Sequence, residues 1–173
     1  MLLLTLTEAL DYTGDAMEGH YLYVYRDAET IFYVGQSVDP QRRLYEHLGI
    51  RGAWQGGDDV GQIMHDNYPA SLSWTVELYT LADCEPFIES FDTPKRLSWY
   101  RRKLIEVEAE EITYYQLKGA IDVAEDALID HFHPCMNTVH ALHYSNPIPE
   151  RYLEEEKKRN REYRRRMREK EHS

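Results

Sequence analysis

On either side of Asp27-Ala28-Glu29, the runs HYLYVYR (20–26) and TIFYVGQ (30–36) alternate aromatic or polar residues with aliphatic ones. A period of two over six or seven residues predicts a strand, and two such runs around a short connection predict an antiparallel hairpin. If the hairpin is centred on Ala28, residue i pairs with residue 56 − i, which sets Tyr23 directly across from Tyr33 and leaves Tyr21 outside the pair. Opposed side chains on one face approach to roughly 5 Å between Cβ atoms. A buried phenol needs a partner for its hydroxyl, so tyrosine in place of phenylalanine implies either solvent or a site at that face.

The pattern changes period after Ser37. In VDPQRRLYEHLG, Asp39 suits an N-cap, Pro40 the first helical position and Gly49 the stop, and Arg43 and His47 share a face four residues apart. Residues 7–16 fit a short leading helix with Thr7 as its N-cap, and 58–68 a second short helix ending before Pro69. LSWTVELYTL, residues 72–81, alternates as a third strand. Thr93-Pro94 opens a long helical pattern in which Gly119 predicts a break, giving helices near 95–117 and 120–132. Pro134 closes the second, and Pro147 and Pro149 separate a charged tail whose acidic start and basic end suit the helix dipole. The expected fold class is α+β: a small three-stranded antiparallel sheet flanked by helices, with an inserted helical segment near 82–118 and a charged C-terminal helix. The expected domain spans 1–149, and the tail 150–173.

Composition narrows the class. At 42% hydrophobic, 173 residues suffice for one domain with a core, and no apolar run reaches transmembrane length. The two cysteines, Cys84 and Cys135, lie outside any C-x-x-C, and the start MLLLTLTEAL lacks a basic n-region; both favour a reducing cytoplasm. Charge is unevenly spread. Residues 150–173 hold ten Lys/Arg against seven Asp/Glu, a net of +3, while residues 1–149 hold ten against 24, a net of −14. An acidic body opposes nucleic-acid binding unless concentrated basic sites offset it.

Within 120–132, Ile121, Leu128, Ile129 and Phe132 mark an apolar face, and Glu125 falls on it. A carboxylate there must be paired, protonated or metal-bound. Taken together, the hairpin YLY…FYVGQS, Arg43 and His47 on one helix, and E-x-x-L-I-x-x-x-x-P-x-x-N from Glu125 to Asn137 resemble the GIY-YIG nuclease family. Tyr23 falls on the tyrosine of the first motif, in a YLY context, and Tyr33-Val34-Gly35 on the second. Arg43, His47 and Glu125 fall on the family's arginine, histidine-or-tyrosine and metal-binding glutamate. The match covers residues 21–48 and 120–137 well and the third strand loosely. It departs from the family where Leu22 replaces a small residue, which leaves Tyr21 as an alternative to Tyr23, and in the length of the segment from His47 to Glu125.

The resemblance implies a divalent-metal-dependent DNA endonuclease. Glu125 would hold Mg²⁺ or Mn²⁺, Tyr23 and Tyr33 would orient or deprotonate a water, Arg43 would clamp the phosphate, and His47 would serve a tyrosine or relay the proton. Gly35, Gln36, Arg42 and Asn137 are the accompanying substrate-side positions, with Asn137 bracing its loop more than reacting. The alternative is a fold of this kind that has lost turnover and serves as a nucleic-acid-binding or assembly module. A competing cluster, His131, His133, Cys135, His140 and His143, offers nitrogen and sulfur ligands without standard zinc spacing. Residues 157–168 read as a basic arm for the DNA backbone, against the plainer reading of a solvated helix.

Overall fold

The computed structural model describes residues 1–13, 20–49, 59–91, 112–137 and 146–171. Its centre is β2 (Tyr21–Arg26), which pairs antiparallel with β3 (Ile31–Ser37) on one side and β4 (Thr75–Tyr79) on the other. A fourth strand, β1 (Leu2–Thr5), pairs antiparallel with β4, so the sheet runs β1-β4-β2-β3. The α+β class stands, with four strands in place of the three expected. The short apolar start that carried no strand signal of its own is an edge strand.

The alternation in β2 sorts two kinds of core onto two faces. Tyr23 and Tyr25 project to one face, among Phe32, Leu44, Met64, Val76 and Leu78; Leu22 and Val24 project to the other, among Val34, Ile121, Ala124, Leu128 and Ile129. A central strand covered on both faces has no polar side to alternate with, and four of its six residues are buried. Each large side chain so buried contributes about 1.5–3 kcal/mol of transfer free energy.

The hairpin register differs from the expected one. Tyr23 lies opposite Gly35 and Tyr25 opposite Tyr33, with an irregularity between Tyr25 and Arg26. Asp27 N–H donates to the Thr30 carbonyl, and the Asp27 carboxylate accepts from the Glu29 and Thr30 amides. The turn therefore closes on the two residues Ala28-Glu29 and not on the three-residue connection Asp27-Ala28-Glu29, and the bulge adds a further one-residue shift.

Helix α1 (Leu6–Leu10) begins earlier than expected: Thr5 caps it, in a reciprocal capping box with Glu8. Helix α2 (Pro40–His47) has the expected ends, with the Asp39 carboxylate accepting from Arg42 N–H and Gly49 beyond the last turn at φ 67°. Helix α3 (Asp59–Asp66) packs close to α2, where a Cβ at Gly61 would sit 2.6 Å from the His47 carbonyl oxygen. A short helix α4 (Glu85–Ser90) follows β4, and its Phe87 packs edge-on against Tyr79.

Helix α5 (Ile112–Phe132) runs through Gly119 without interruption, which corrects the predicted break. Gly119 is buried, so packing outweighs the roughly 1 kcal/mol by which glycine disfavours a helix interior. Residues 92–111, in which most of the 95–117 helix was expected, lie outside the described residues. After α5, residues 135–137 run along the free edge of β3, with Met136 N–H donating to the Phe32 carbonyl.

Helix α6 (Glu150–Glu171) accounts for the tail, but residue 150 is no simple boundary. Its Tyr152 is 2% exposed and packs against Phe32 and Trp74 in the tyrosine-side core. Tyr152 Oη also donates to the Asp27 carboxylate, to which Arg151 binds through Nε and Nη2. The first turn of the tail thus belongs to the body. Among the described residues, no helix is long and apolar enough to cross a membrane.

Candidate active site

Strand β2 supplies Tyr23, β3 supplies Tyr33 and Gly35, and α2 supplies Arg43 and His47. The Tyr23 ring lies 6.1 Å from Tyr33 and 6.4 Å from His47, and His47 lies 6.1 Å from Tyr33, centroid to centroid. These three expected site residues converge, although Tyr23 meets Tyr33 diagonally and not directly across. Tyr25, which carried no signal beyond its place in the alternation, closes the group at 4.9 Å from Tyr23 and 5.6 Å from His47.

Gly35 explains why the motif ends in glycine. A Cβ there would lie 2.6 Å from both Cζ and Oη of Tyr23 and 2.8 Å from Cε1 of Tyr33. The Tyr23 phenol lies over the strand at Gly35, in space that any Cβ there would occupy.

Tyr23 and His47 are buried, while Tyr33 and Arg43 are half-buried at the rim. Burial pushes the Tyr23 phenol well above its ordinary range, and the neighbouring Tyr33 adds to the effect. Arg43, hydrogen-bonded to Tyr23, pulls in the opposite direction, while the charge of Glu125 pushes upward again. The net result is a phenol that keeps its proton at neutral pH.

The Arg43 guanidinium also reaches Glu46, at 3.1 Å, and Arg42 reaches the other oxygen of the same carboxylate at 3.3 Å. Glu46, which no motif singled out, therefore gathers both arginines on the outer side of α2. Arg42 is the more exposed of the two.

Glu125 sits across the edge strand from the tyrosines. Gln36, whose side chain projects to the opposite face from Tyr23 and Gly35, donates from Nε2 to Glu125 Oε2 and to Asp122 Oδ1, each at 2.8 Å. His20 Nε2–H in turn donates to Gln36 Oε1, at 3.1 Å. This network accommodates the carboxylate on the apolar face of α5: Glu125 is half-buried and shares one amide donor with Asp122. Asp122 and His20 were missed in the sequence. The i,i+3 spacing of Asp122 and Glu125 on one helix was the available signal.

If a divalent cation such as Mg²⁺ or Mn²⁺ is held here, the carboxylates of Asp122 and Glu125 are the residues that would hold it. Such ions take one or two protein carboxylates and complete their shell with water and substrate oxygens. Among the described residues, no group of three or more His, Cys, Asp or Glu side chains gathers at one point. The His131 ring packs on Phe87 at 4.8 Å, and the Cys135 thiol, pushed up to about 11 by burial, faces the Phe32 carbonyl. His140 and His143 lie outside the described residues.

Asn137 is committed to the backbone. Its Oδ1 accepts from Val34 N–H at 2.8 Å and its Nδ2 donates to the Val34 carbonyl at 2.7 Å. It acts as one more peptide unit paired with β3, holding the motif strand next to Tyr33 and Gly35. Compared with models of protein families, with curated proteins and with solved structures, the chain finds no match.

Proposed function

We propose that this protein is a divalent-metal-dependent DNA endonuclease whose site is similar to that of the GIY-YIG nucleases. One observation carries the reading: two phenols and an imidazole meet over a glycine too crowded for any side chain, with an arginine hydrogen-bonded to one phenol. An ordinary tyrosine-rich core gives no reason for Arg43 at its rim to bond one of the phenols.

Phosphodiester hydrolysis needs a positioned water, stabilisation of charge on the phosphoryl oxygens and help for the leaving oxygen. Tyr33, the less buried phenol, meets the water. Tyr23, held protonated by burial, positions Arg43 through its hydroxyl and packs its ring against Tyr33. Arg43 turns its planar fork from Glu46 to a phosphate, a stronger bidentate partner when the site is covered. His47 packs edge-on beneath both phenols and keeps them in register. Glu125 and Asp122 would hold the cation, which supplies Lewis acidity to the scissile phosphate and an acidified water. Gln36 keeps these two carboxylates together until then.

The decisive experiment incubates the full chain with supercoiled, nicked, branched and single-stranded DNA in Mg²⁺ and in Mn²⁺, beside Glu125→Ala. Metal-dependent cleavage that Glu125→Ala abolishes supports the reading. The alternative, a binding or assembly module without turnover, is favoured by the 2% exposure of Tyr23. Tight DNA binding without cleavage of any of these substrates in either metal would establish it.

A further inference from the structure

Helix α6 continues well beyond its docked first turn, and its basic residues are ordered around the helix. Lys157, Arg161, Arg164 and Arg168 follow at intervals of four, three and four, so a helix from Glu150 to Glu171 aligns them on one face. All four are exposed. Lys157 pairs with Glu150, and Arg161 Nε donates to the Lys157 carbonyl. Arg164 and Arg168 have no ion pair among the described residues. Glu169 pairs with Arg165, which lies beside the stripe.

We propose that this stripe is a docking surface for the phosphate backbone of duplex DNA. At 1.5 Å per residue the four cations span about 16 Å, with about 5–6 Å between successive ones. A DNA strand advances about 3.4 Å per phosphate along the axis, so the stripe passes about five phosphates of one strand. Arginine suits phosphate better than a featureless positive patch requires, because its fork bonds two oxygens at once.

The stripe is also held in place, so ordering it adds little to the cost of binding. Arg151 binds Asp27 and Glu29 of the hairpin turn, Tyr152 is buried in the core, and α6 touches α3. Residues 1–149, at a net charge of −14, repel a polyanion, and the arm supplies the attraction. This inference deepens the endonuclease reading by naming where substrate is held, but it concerns binding alone and survives if cleavage is absent.

The test compares two full-length variants that lose the same charge: Arg161→Gln/Arg164→Gln/Arg168→Gln on the stripe, and Lys158→Gln/Arg165→Gln/Arg166→Gln beside it. Binding to a labelled 30-base-pair duplex is followed by fluorescence anisotropy from 50 to 200 mM salt, with chelator present so that no cleavage occurs. Each lost phosphate contact removes roughly 0.9 from the log–log salt slope. The stripe variant should lose about 2–3 from the slope, the control less than 1. Equal losses would reduce the effect to net charge and overturn the proposal, as would an unchanged slope in the stripe variant. A shift in self-association of the stripe variant without any change in DNA binding would assign the arm to the acidic body of a second copy, which also overturns it. Loss of slope with single-turnover cleavage intact at saturating DNA separates this surface from the catalytic site. Loss of slope in a protein that never cleaves DNA leaves the stripe standing and removes the endonuclease.

Discussion

The hydroxyl of Tyr23 lies within 2.6 Å of where a Cβ on Gly35 would be. The two residues oppose each other across the β2–β3 ladder, and the larger occupies the space the smaller leaves. Gly35→Ala forces Tyr23 and Tyr33 outward from a packed core, at a cost of about 1–3 kcal/mol typical of overpacking. Urea denaturation should show that loss. The same variant should cleave DNA far more slowly while still binding it. Wild-type stability in Gly35→Ala would mean that the phenols yield freely and are not held in one arrangement.

The observed register changes how Tyr23 and Tyr33 meet, not which tyrosines share the pocket. Tyr23 and Tyr33 share the pocket with His47, while Tyr21 pairs with Ser37 at the end of the ladder. Single-turnover rates should fall about 10²-fold or more for Tyr23→Phe and Tyr33→Phe, the scale of one lost transition-state donor, with Tyr21→Phe near wild type. The Tyr23 phenol is pushed up by burial, so it stays protonated throughout the range from pH 6 to pH 9. The rate profile of Tyr23→Phe should therefore run parallel to that of the wild type across this range. A limb that appears in one profile and not the other would show that Tyr23 ionises during turnover.

Glu125 and Asp122 each accept one of the two N–H hydrogens of the Gln36 amide, which gives the two carboxylates distinct tests. Glu125→Ala should lower cleavage by at least about 10²–10³-fold in saturating Mg²⁺. Asp122→Asn should raise the Mg²⁺ concentration needed for half-maximal rate about 10–100-fold and leave the maximal rate largely intact, as expected of a supporting ligand. If both variants cleave at the wild-type rate and metal dependence, Gln36 and its carboxylates are an internal hydrogen-bond network and no more.

What the sequence revealed was local. The period-two runs located β2 and β3, and Asp39, Pro40 and Gly49 marked α2, because each of these signals acts within a few residues. The convergence of Tyr23, Tyr33 and His47 followed from the motif, and the position of Glu125 from the helical period. What escaped depended on distant partners. Strand β1 exists because β4 offers it an edge, and four residues leading straight into a helix are too few to show a period. Gly119 stays helical through packing. The register slipped because hydrogen bonding inside the turn, centred on the Asp27 carboxylate, selected a two-residue connection over a three-residue one, and the irregularity between Tyr25 and Arg26 added a second step. Asn137 was legible as a brace, but its partner, Val34, lies 103 positions away in the chain.

Asp27 joins the hairpin turn to the tail, and its charge should set the acid limb of stability. Burial opposes its ionisation, but hydrogen bonds from Tyr152, the Glu29 amide, Arg151 and the Thr30 amide outweigh that and hold the carboxyl below its ordinary value. A group with a lowered native pKa contributes stability above its unfolded value near 3.9, and that contribution is lost as pH falls through the native value. Asp27→Asn should therefore lose about 2–3 kcal/mol at pH 7, the scale of hydrogen bonds to a charged acceptor. The gap from wild type should narrow steadily below about pH 4. Truncation after residue 156 keeps Arg151 and Tyr152 and should leave urea stability nearly unchanged, whereas deletion from residue 150 onward removes a residue only 2% exposed and should cost several kcal/mol. Equal stability of the two truncated chains at pH 7 would show that the Asp27–Tyr152 contact carries no weight in the fold.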